Sequence, residues 1–243
     1  MRKLIDLFIS IYLSPLQLSS KLALYVKGKI LSYDEHYITA LDVIHRQYPN
    51  DQGILVDIGA FDADSTVFFA RRLPKNKILG FEPNPYPYQN GIDRAKPYSN
   101  IQLFNIGFSN TIGDVDLHVT KNLVSSSLYN IKDFTEISPD KTIKVKVDTL
   151  DNFFSFHKEI LLLKLDVQGA ELNILKAGTE TLKKTKLVLT EVLVNEIYHG
   201  ACLYHQVDEF LRNNSFQIHT IITNYNKDGV KYFDILYIKS TNL

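Results

Sequence analysis

From about residue 53 onward, short apolar runs alternate with amphipathic segments. Apolar runs of about four to eight residues that end at glycine, proline or asparagine are typical of buried strands, whereas apolar positions three or four apart predict helices. We therefore predict buried strands at 54–58, 77–82, 101–108, 160–166 and 186–192, alternating strands at 113–119 and 143–147, helices at 64–72, 170–177 and 203–212, and a hairpin of 216–222 with 231–239. This order predicts a doubly wound α/β fold with a mostly parallel sheet and an antiparallel hairpin strand at its C-terminal edge.

The N-terminal part has a different pattern. Residues 1–50 predict a helical extension to a domain of residues 51–243, because an apolar stripe over 33–48 ends at Pro49. Residues 1–13 have a basic start and a helical stripe, but no small-residue cleavage pattern follows them. We expect an amphipathic helix that packs on the domain or on the partner of a homodimer; weak surface attachment to a membrane is the alternative.

Composition excludes several classes of function. The 243 residues include 27 Lys and Arg and 27 Asp and Glu, and this zero net charge argues against a nucleic-acid surface. The single cysteine, Cys202, excludes an intramolecular disulfide or a cysteine zinc cluster and gives no sign of an oxidising compartment, so we expect a cytoplasmic protein. No apolar run approaches the roughly 20 residues of a spanning helix.

Acidic residues stand at the carboxyl ends of the predicted strands. Ligands of open α/β sheets bind beyond these ends, which selects Asp57, Glu82, Asp166, Glu191 and the segment 105–109.

The turn after the first strand indicates the kind of ligand. It holds one glycine, Gly59, and two acids, Asp62 and Asp64, which would repel a pyrophosphate. Glu82, 25 residues after Asp57, is placed to accept the hydroxyls of a ribose. A nucleoside that lacks phosphate and carries positive charge fits this turn, as S-adenosylmethionine does. The alternative is that Asp62 and Asp64 only cap the following helix, for which Asp64 or Ser65 is the expected N-cap. The residues expected to bind the cofactor are Asp57, Gly59, Ala60, Phe61, Asp62, Glu82, Pro83, Asn105 and Gly107.

Several stretches between about residues 53 and 240 resemble the FkbM-type methyltransferases. They are residues 56–64, 80–85, 149–151, 163–171 with Leu175, Lys176 and Gly178, and then 191–192 and 198–200. The most specific is Lys-x-Asp-Val-x-Gly-Ala-Glu at 164–171. The resemblance implies a Rossmann-like, seven-stranded class I fold that uses S-adenosylmethionine to methylate an oxygen, with a sugar hydroxyl of a glycan or glycosylated metabolite as acceptor. The family usually has glycine at the position of Ala63, whose methyl group is expected to crowd the methionine end of the ligand.

Two chemistries are open for the acceptor side. In one, Asp166 or a nearby histidine such as His199 removes the proton of the acceptor hydroxyl. In the other, Asp166 and Glu191 share a divalent ion such as Mg²⁺, by analogy with some class I O-methyltransferases. A third interpretation gives Asp166 a structural role, as N-cap to the backbone of Gly169 and Ala170.

Other polar residues near these strands have simpler expected roles. Lys164 lies in a buried strand and needs a partner, for which Asp57 and Glu191 are the candidates. We expect Glu171 to be exposed or to pair with Lys164, and Cys202 to serve packing. Residues 125–127 form either a loop over the acceptor or a plain solvent loop.

Two rival functions remain. An NAD-dependent oxidoreductase or epimerase would share the acid for the ribose, but this chain lacks the glycine pattern of its turn and a Tyr-x-x-x-Lys pair in the right segment. An inactive nucleoside-binding module is favoured only by Ala63.

Overall fold

The computed structural model describes residues 35–132, 137–157, 159–223 and 229–240. The predicted helix over residues 1–13 lies outside the described residues. The strands are β1 (Ile54–Ile58), β2 (Ile78–Phe81), β3 (Ile101–Phe104), β4 (Gly107–Phe108), β5 (Gly113–Thr120), β6 (Pro139–Asp148), β7 (Ile160–Leu165), β8 (Thr185–Leu193), β9 (Phe216–Ile222) and β10 (Tyr232–Lys239). The helices are α1 (Glu35–Gln47), α2 (Asp64–Arg72), α3 (Pro85–Ala95), α4 (Leu150–Phe153), α5 (Glu171–Lys176), α6 (Thr179–Lys183) and α7 (Tyr204–Asn213).

A seven-stranded sheet carries the fold, in the order β3-β2-β1-β7-β8-β10-β9. Every neighbouring pair is parallel except those of β10, which is antiparallel to both β8 and β9. The apolar runs of β2 and β7 are buried throughout, as expected of strands covered on both faces. The predicted doubly wound sheet with an antiparallel C-terminal strand is confirmed.

A second, three-stranded sheet has the order β4-β6-β5. Its β5 and β6 pair antiparallel, as their alternating pattern predicts. The single strand predicted for 101–108 is wrong, because the chain leaves the large sheet after Phe104 and β4 pairs with β6 instead. Asn105 fixes this exit by donating its side-chain amide to the carbonyls of Glu82 and Pro83, at 2.8 and 3.0 Å.

Helix ends account for the other differences. The prolines after β2 begin α3, a helix that we did not predict. Asn84 is its N-cap and Pro85 takes the first helical position, where proline needs no hydrogen-bond partner. The N-cap of α2 is Ala63, not Asp64 or Ser65. Gly178 follows Ala177, the C-cap of α5, and is itself the N-cap of α6.

Both faces of the large sheet are covered by apolar side chains. On one face α1 packs Ala40, Val43 and Ile44 into a core shared with α2 and β10. The opposite face holds a cluster of rings in which Phe81 lies 4.9 Å from Phe108 between centroids. Helix α1 is therefore packed on the sheet, although it belongs to the predicted N-terminal extension. Within the described ranges, no helix has the length and apolar character that crossing a membrane requires.

Candidate active site

A cleft opens at the carboxyl ends of β1, β2 and β7. Its interior volume is about 90 Å³, and part of the cleft is open to solvent. It is lined by Ile58, Gly59, Phe61, Glu82, Pro83, Gly107, Phe108, Leu117, Leu123, Val124, Ser126, Ser127, Leu128, Asp166, Val167 and Gln168. This is the edge of the sheet at which the sequence places a ligand.

The turn after β1 shapes one wall of the cleft. Gly59 has φ +77°, and a β-carbon there would lie 1.8 Å from the Asp166 carbonyl oxygen, so only glycine fits. Ala63 is also left-handed, with φ 63°, but it is buried and does not line the cleft. A β-carbon on Gly91 would lie 3.2 Å from the Ala63 methyl carbon, so glycine in α3 leaves the space for that methyl group. The expectation that Ala63 crowds the ligand is wrong.

Glu82 lies at the mouth of the cleft, directly after β2. One carboxylate oxygen accepts the Phe61 N–H at 3.0 Å and the other accepts the Asn84 N–H at 2.7 Å. A carboxylate has about four acceptor positions, so each oxygen can still accept a ligand hydroxyl. Burial raises the pKa of Glu82 to about 7, although the two backbone donors oppose the shift.

Asp57 lies inside the protein and does not line the cleft. One of its oxygens accepts the hydroxyls of Ser65 and Thr66, both at 2.6 Å, and the other pairs with the Lys164 ammonium at 2.9 Å. Burial alone lowers the pKa of Lys164, but the Asp57 carboxylate outweighs it, so the pKa ends above its ordinary value. Of the two partners expected for Lys164, the structure therefore selects Asp57. Asp57 therefore stabilises the turn from inside the protein and does not reach the cleft in which the predicted ligand would bind.

The two acids of the turn are paired with one arginine. Arg94, on α3, contacts Asp62 and lies 2.7 Å from an oxygen of Asp64. Neither acid lines the cleft, so their charges face α3 instead of the ligand. Of the remaining residues expected to bind the cofactor, Pro83 and Gly107 line the cleft, whereas Ala60 and Asn105 do not.

Asp166 and Glu191 lie side by side, as expected from the parallel pairing of β7 with β8. The Gln168 side-chain amide nitrogen lies 3.0 Å from Asp166 Oδ1 and 3.0 Å from Glu191 Oε1. The side chain of Asp166 is 36% exposed and lines the cleft, whereas Glu191 does not line it. Burial, and then the neighbouring Asp166, raises the pKa of Glu191 well above its ordinary value.

This arrangement does not fit a divalent ion. Two carboxylate groups face each other, but a hydrogen-bond donor lies between them where the ion would have to sit. Across the described part of the chain, no group of three or more His, Cys, Asp or Glu side chains is placed to hold a metal.

Glu171 holds the turn that carries Asp166 and Gln168. It is 2% exposed, and one oxygen accepts the backbone N–H groups of Val167 and Gly169, both at 3.2 Å. Burial raises its pKa to about 7. The expectations that Glu171 is exposed or pairs with Lys164 are wrong, and Glu171, not Asp166, is the carboxylate that binds the backbone of this turn.

His199 is exposed and does not line the cleft; its backbone N–H donates to the Asn130 carbonyl at 2.8 Å. The adjacent Tyr198 is fully buried, and its hydroxyl lies 2.9 Å from the Gln168 side-chain oxygen. Cys202 is half-buried, with its sulfur 3.3 Å from the Gly169 carbonyl. The structure thus brings Tyr198, and not the His199 side chain, toward the cleft.

Residues 121–128, which we call the covering loop, form another wall of the cleft. Of these residues, the sequence predicted a loop only at 125–127. The Ser127 hydroxyl donates to the Gln168 carbonyl at 2.7 Å, and the Tyr198 hydroxyl lies 3.0 Å from the Ser125 carbonyl. Five residues of this loop line the cleft, and they are Leu123, Val124, Ser126, Ser127 and Leu128. The serine run at 125–127 predicts the loop itself. The apolar residues of the loop show no periodicity from which their position in the cleft could be predicted.

Comparison with known proteins agrees with this geometry. The family model of the methyltransferase FkbM domain matches residues 57–218. The chain belongs to the FkbM methyltransferase family. The match begins at Asp57 and includes the Gly59 turn, Glu82, Asp166 and Glu191. The protein is therefore an S-adenosylmethionine-dependent methyltransferase.

Individual relatives are distant. The 2-O-methyltransferase NoeI of Sinorhizobium fredii is 26% identical over 174 residues, which cover 65% of this chain and 72% of NoeI. Methyltransferase sdnD of Sordaria araneosa is 26% identical over 194 residues, covering 68% of this chain and 73% of sdnD. A crystal structure from Klebsiella pneumoniae, assigned as an O-methyltransferase, matches with a TM-score of 0.50 and 11% identity, covering 98% of this chain and 97% of that one. This last match supports the fold alone.

Proposed function

We propose that this methyltransferase transfers a methyl group to a hydroxyl oxygen of a sugar, in a glycan or a glycosylated metabolite. The observation that carries the proposal is the half-exposed Asp166 carboxylate in the cleft, beside the glycine turn that ends β1. Oxygen as the acceptor atom is further supported by the similarity to NoeI, whose name gives it as a 2-O-methyltransferase.

The cofactor fits the cleft through Glu82 and the residues around it. Glu82 has acceptor positions left for the two hydroxyls of a ribose, and Gly59 and Gly107 allow close approach of a ligand to the backbone. A β-carbon on Gly107 would lie 3.1 Å from Pro83, so a larger residue would narrow this wall. When bound, S-adenosylmethionine supplies a methyl group made electrophilic by its sulfonium.

Asp166 is the base in this proposal, in preference to His199. It takes the proton of the acceptor hydroxyl while the oxygen forms its bond to the methyl carbon and the carbon–sulfur bond breaks. The Gln168 side-chain amide nitrogen lies 3.0 Å from its Oδ1. Mg²⁺ has no role in this proposal, because a donor amide lies between the two carboxylates. Turnover should therefore be unaffected by a chelator.

The test is transfer of label from methyl-tritiated S-adenosylmethionine to a panel of methyl glycosides and oligosaccharides, with mass spectrometry to locate the methyl ether. We expect labelled ether with the wild type and a loss of at least about 100-fold with Asp166→Asn. Label on no glycoside, with tight cofactor binding, would favour another acceptor class or an inactive binding module. Binding of NAD(H) in place of S-adenosylmethionine would favour the oxidoreductase alternative.

Two further properties are proposed from the sequence. The single cysteine is the basis for a cytoplasmic location. The amphipathic pattern of residues 1–13 is the basis for packing on the domain or on a second copy of the chain or, as the alternative, for weak contact with a membrane surface.

A further inference from the structure

We propose that Gln168 is a positioning residue whose side-chain amide holds the carboxylates of Asp166 and Glu191 in place at the cleft. The inference rests on the proposed function, because it concerns how the proposed base is oriented. It is carried by the conformation of Gln168 and by the contacts of its two side-chain atoms.

The backbone at Gln168 has a conformation that is uncommon for residues with a side chain. Its φ is 56°, and the next residue, Gly169, has φ 101°. Main-chain contacts hold this turn independently of the glutamine side chain: Asp166 N–H donates to the Ile58 carbonyl at 3.1 Å, and the Ser127 hydroxyl donates to the Gln168 carbonyl at 2.7 Å. Glycine would adopt this backbone more easily, so the side chain is there for its own contacts.

Both ends of the amide are used. The NH₂ group has two hydrogens, and one carboxylate oxygen lies 3.0 Å away for each, from Asp166 and from Glu191. The oxygen lies 2.9 Å from the Tyr198 hydroxyl, which is itself fully buried. In the reverse orientation the amide oxygen would face the Asp166 carboxylate oxygen, so the contact with Asp166 favours the orientation described.

The surroundings of the pair are rich in negative charge. The other ionisable groups around it include Lys164, Glu171, Asp234, His36, Tyr37, Glu82 and Tyr198. Lys164 lies 4.0 Å from Asp166, but its closer partner is Asp57 at 2.9 Å. Asp234 lies opposite Glu191 in the β8–β10 register and is 3.5 Å from His36. The amide is thus the hydrogen-bond donor that the two carboxylates share, and its removal should favour protonation of Glu191.

Two substitutions separate this role from the fold of the turn. Gln168→Met keeps the length of the side chain and the Ser127 contact to the backbone, but removes the donor. Gln168→Glu exchanges the donor for a third carboxyl group. Gln217→Met, at an exposed position on edge strand β9, is the matched control for the loss of a glutamine.

The readout is a pH titration of ¹³C-labelled Asp and Glu carboxyls by NMR, assigned with Asp166→Asn and Glu191→Gln, and it needs no acceptor. We expect Gln168→Met to raise the titration midpoint of Glu191 by about one pH unit. We also expect it to leave the dissociation constant of S-adenosylhomocysteine within about threefold of wild type. On any glycoside that accepts methyl groups, kcat should fall while KM for S-adenosylmethionine stays unchanged. Gln168→Glu should regain activity relative to wild type as the pH falls, because its protonated carboxyl can again donate.

An unchanged midpoint in Gln168→Met would overturn the proposal, as would loss of S-adenosylhomocysteine binding together with the shift, since that indicates a general structural role. If Gln168→Met does not fold, Tyr198→Phe keeps the amide but removes the hydroxyl that orients it, and should move the midpoint in the same direction. A wild type that binds no cofactor and methylates no glycoside refutes the proposed function, while the titration still decides the role of Gln168.

Discussion

Replacement of Glu82 by glutamine should weaken S-adenosylmethionine binding and remove most of its pH dependence. The substitution keeps the size of the side chain but removes its charge and one acceptor oxygen. In the structure both oxygens already accept backbone N–H groups, from Phe61 and Asn84. A ribose hydroxyl would therefore lose a charged acceptor, and one backbone donor would lose its partner.

The size of the effect follows from these contacts. Hydrogen bonds to a charged group contribute about 1.5–3 kcal/mol each, and a neutral amide retains part of one of them. The net loss should be about 2–3 kcal/mol, which is roughly a 30- to 150-fold increase in the dissociation constant. Isothermal titration with S-adenosylmethionine and S-adenosylhomocysteine at pH 8 measures it.

The pH dependence is the more specific part of the prediction. Since burial raises the pKa of Glu82 to about 7, its ionised fraction falls from about 0.9 at pH 8 to about 0.1 at pH 6. If the carboxylate form binds the ribose, wild-type affinity should fall about tenfold over this range. The pH dependence of binding to Glu82→Gln is the control, because in this variant only the titration of groups other than Glu82, including those of the ligand, changes the affinity. Equal pH dependence in the two proteins, or affinities within about threefold at pH 8, would refute the assignment of Glu82 to the ribose.

Three further predictions concern stability, measured by urea unfolding. Lys164→Met leaves the buried carboxylate of Asp57 without its ion-pair partner and should lower the unfolding free energy by about 3–5 kcal/mol. Gly169→Ala should cost at least about 2 kcal/mol, because the new β-carbon would lie 2.6 Å from that of Ala201, whereas Gly113→Ala, also at positive φ but with nothing within 4 Å, should cost less. Lowering the pH from 8 to 6.5 should raise the unfolding free energy by about 2 kcal/mol, because folding raises the pKa of three carboxyls to about 7 and the folded state then binds protons before the unfolded state. These carboxyls are Glu82, Glu171 and Asp234.

Each of the three stability predictions would be contradicted by a specific result. A loss below about 1 kcal/mol for Lys164→Met would mean that the hydroxyls of Ser65 and Thr66 alone can hold the Asp57 charge. Equal costs for the two glycine variants would assign the effect of Gly169→Ala to the backbone and not to the contact with Ala201. Stability that falls between pH 8 and 6.5 would contradict the raised pKa values.

The main sheet and the mouth of the cleft could be predicted from sequence because local patterns encode them. Buried strands such as β1 and β7 are apolar runs of fixed length, and the rule that ligands lie at carboxyl ends then places Glu82 and Asp166 at one edge. The acids Asp57 and Asp62 satisfied the same rule and yet lie outside the cleft, because their partners, Lys164 and Arg94, come from distant positions in the chain.

What could not be predicted depends on contacts between distant segments. The exit of the chain after Phe104 is fixed by Asn105 bonding the end of β2, and no periodicity marks it. The role of Glu171 likewise depends on the turn at 167–169, because the N–H groups of Val167 and Gly169 donate to its carboxylate only once that turn has formed. Gln168 gave no signal at all, since its importance comes from three neighbours that only the folded chain brings together.

The position of β10 has a consequence for how the chain is assembled. It follows β9 in sequence but lies between β8 and β9 in the sheet, and it pairs with both. During synthesis, the edge of β8 therefore stays unpaired until β10 has been made. Strand β9 also has no partner in the sheet before β10 pairs with it. The nascent protein presents an unpaired, apolar sheet edge until β10 inserts, which makes this interval the one in which chaperones or aggregation compete with folding. A chain cut short before residue 232 would lose two strands from its sheet.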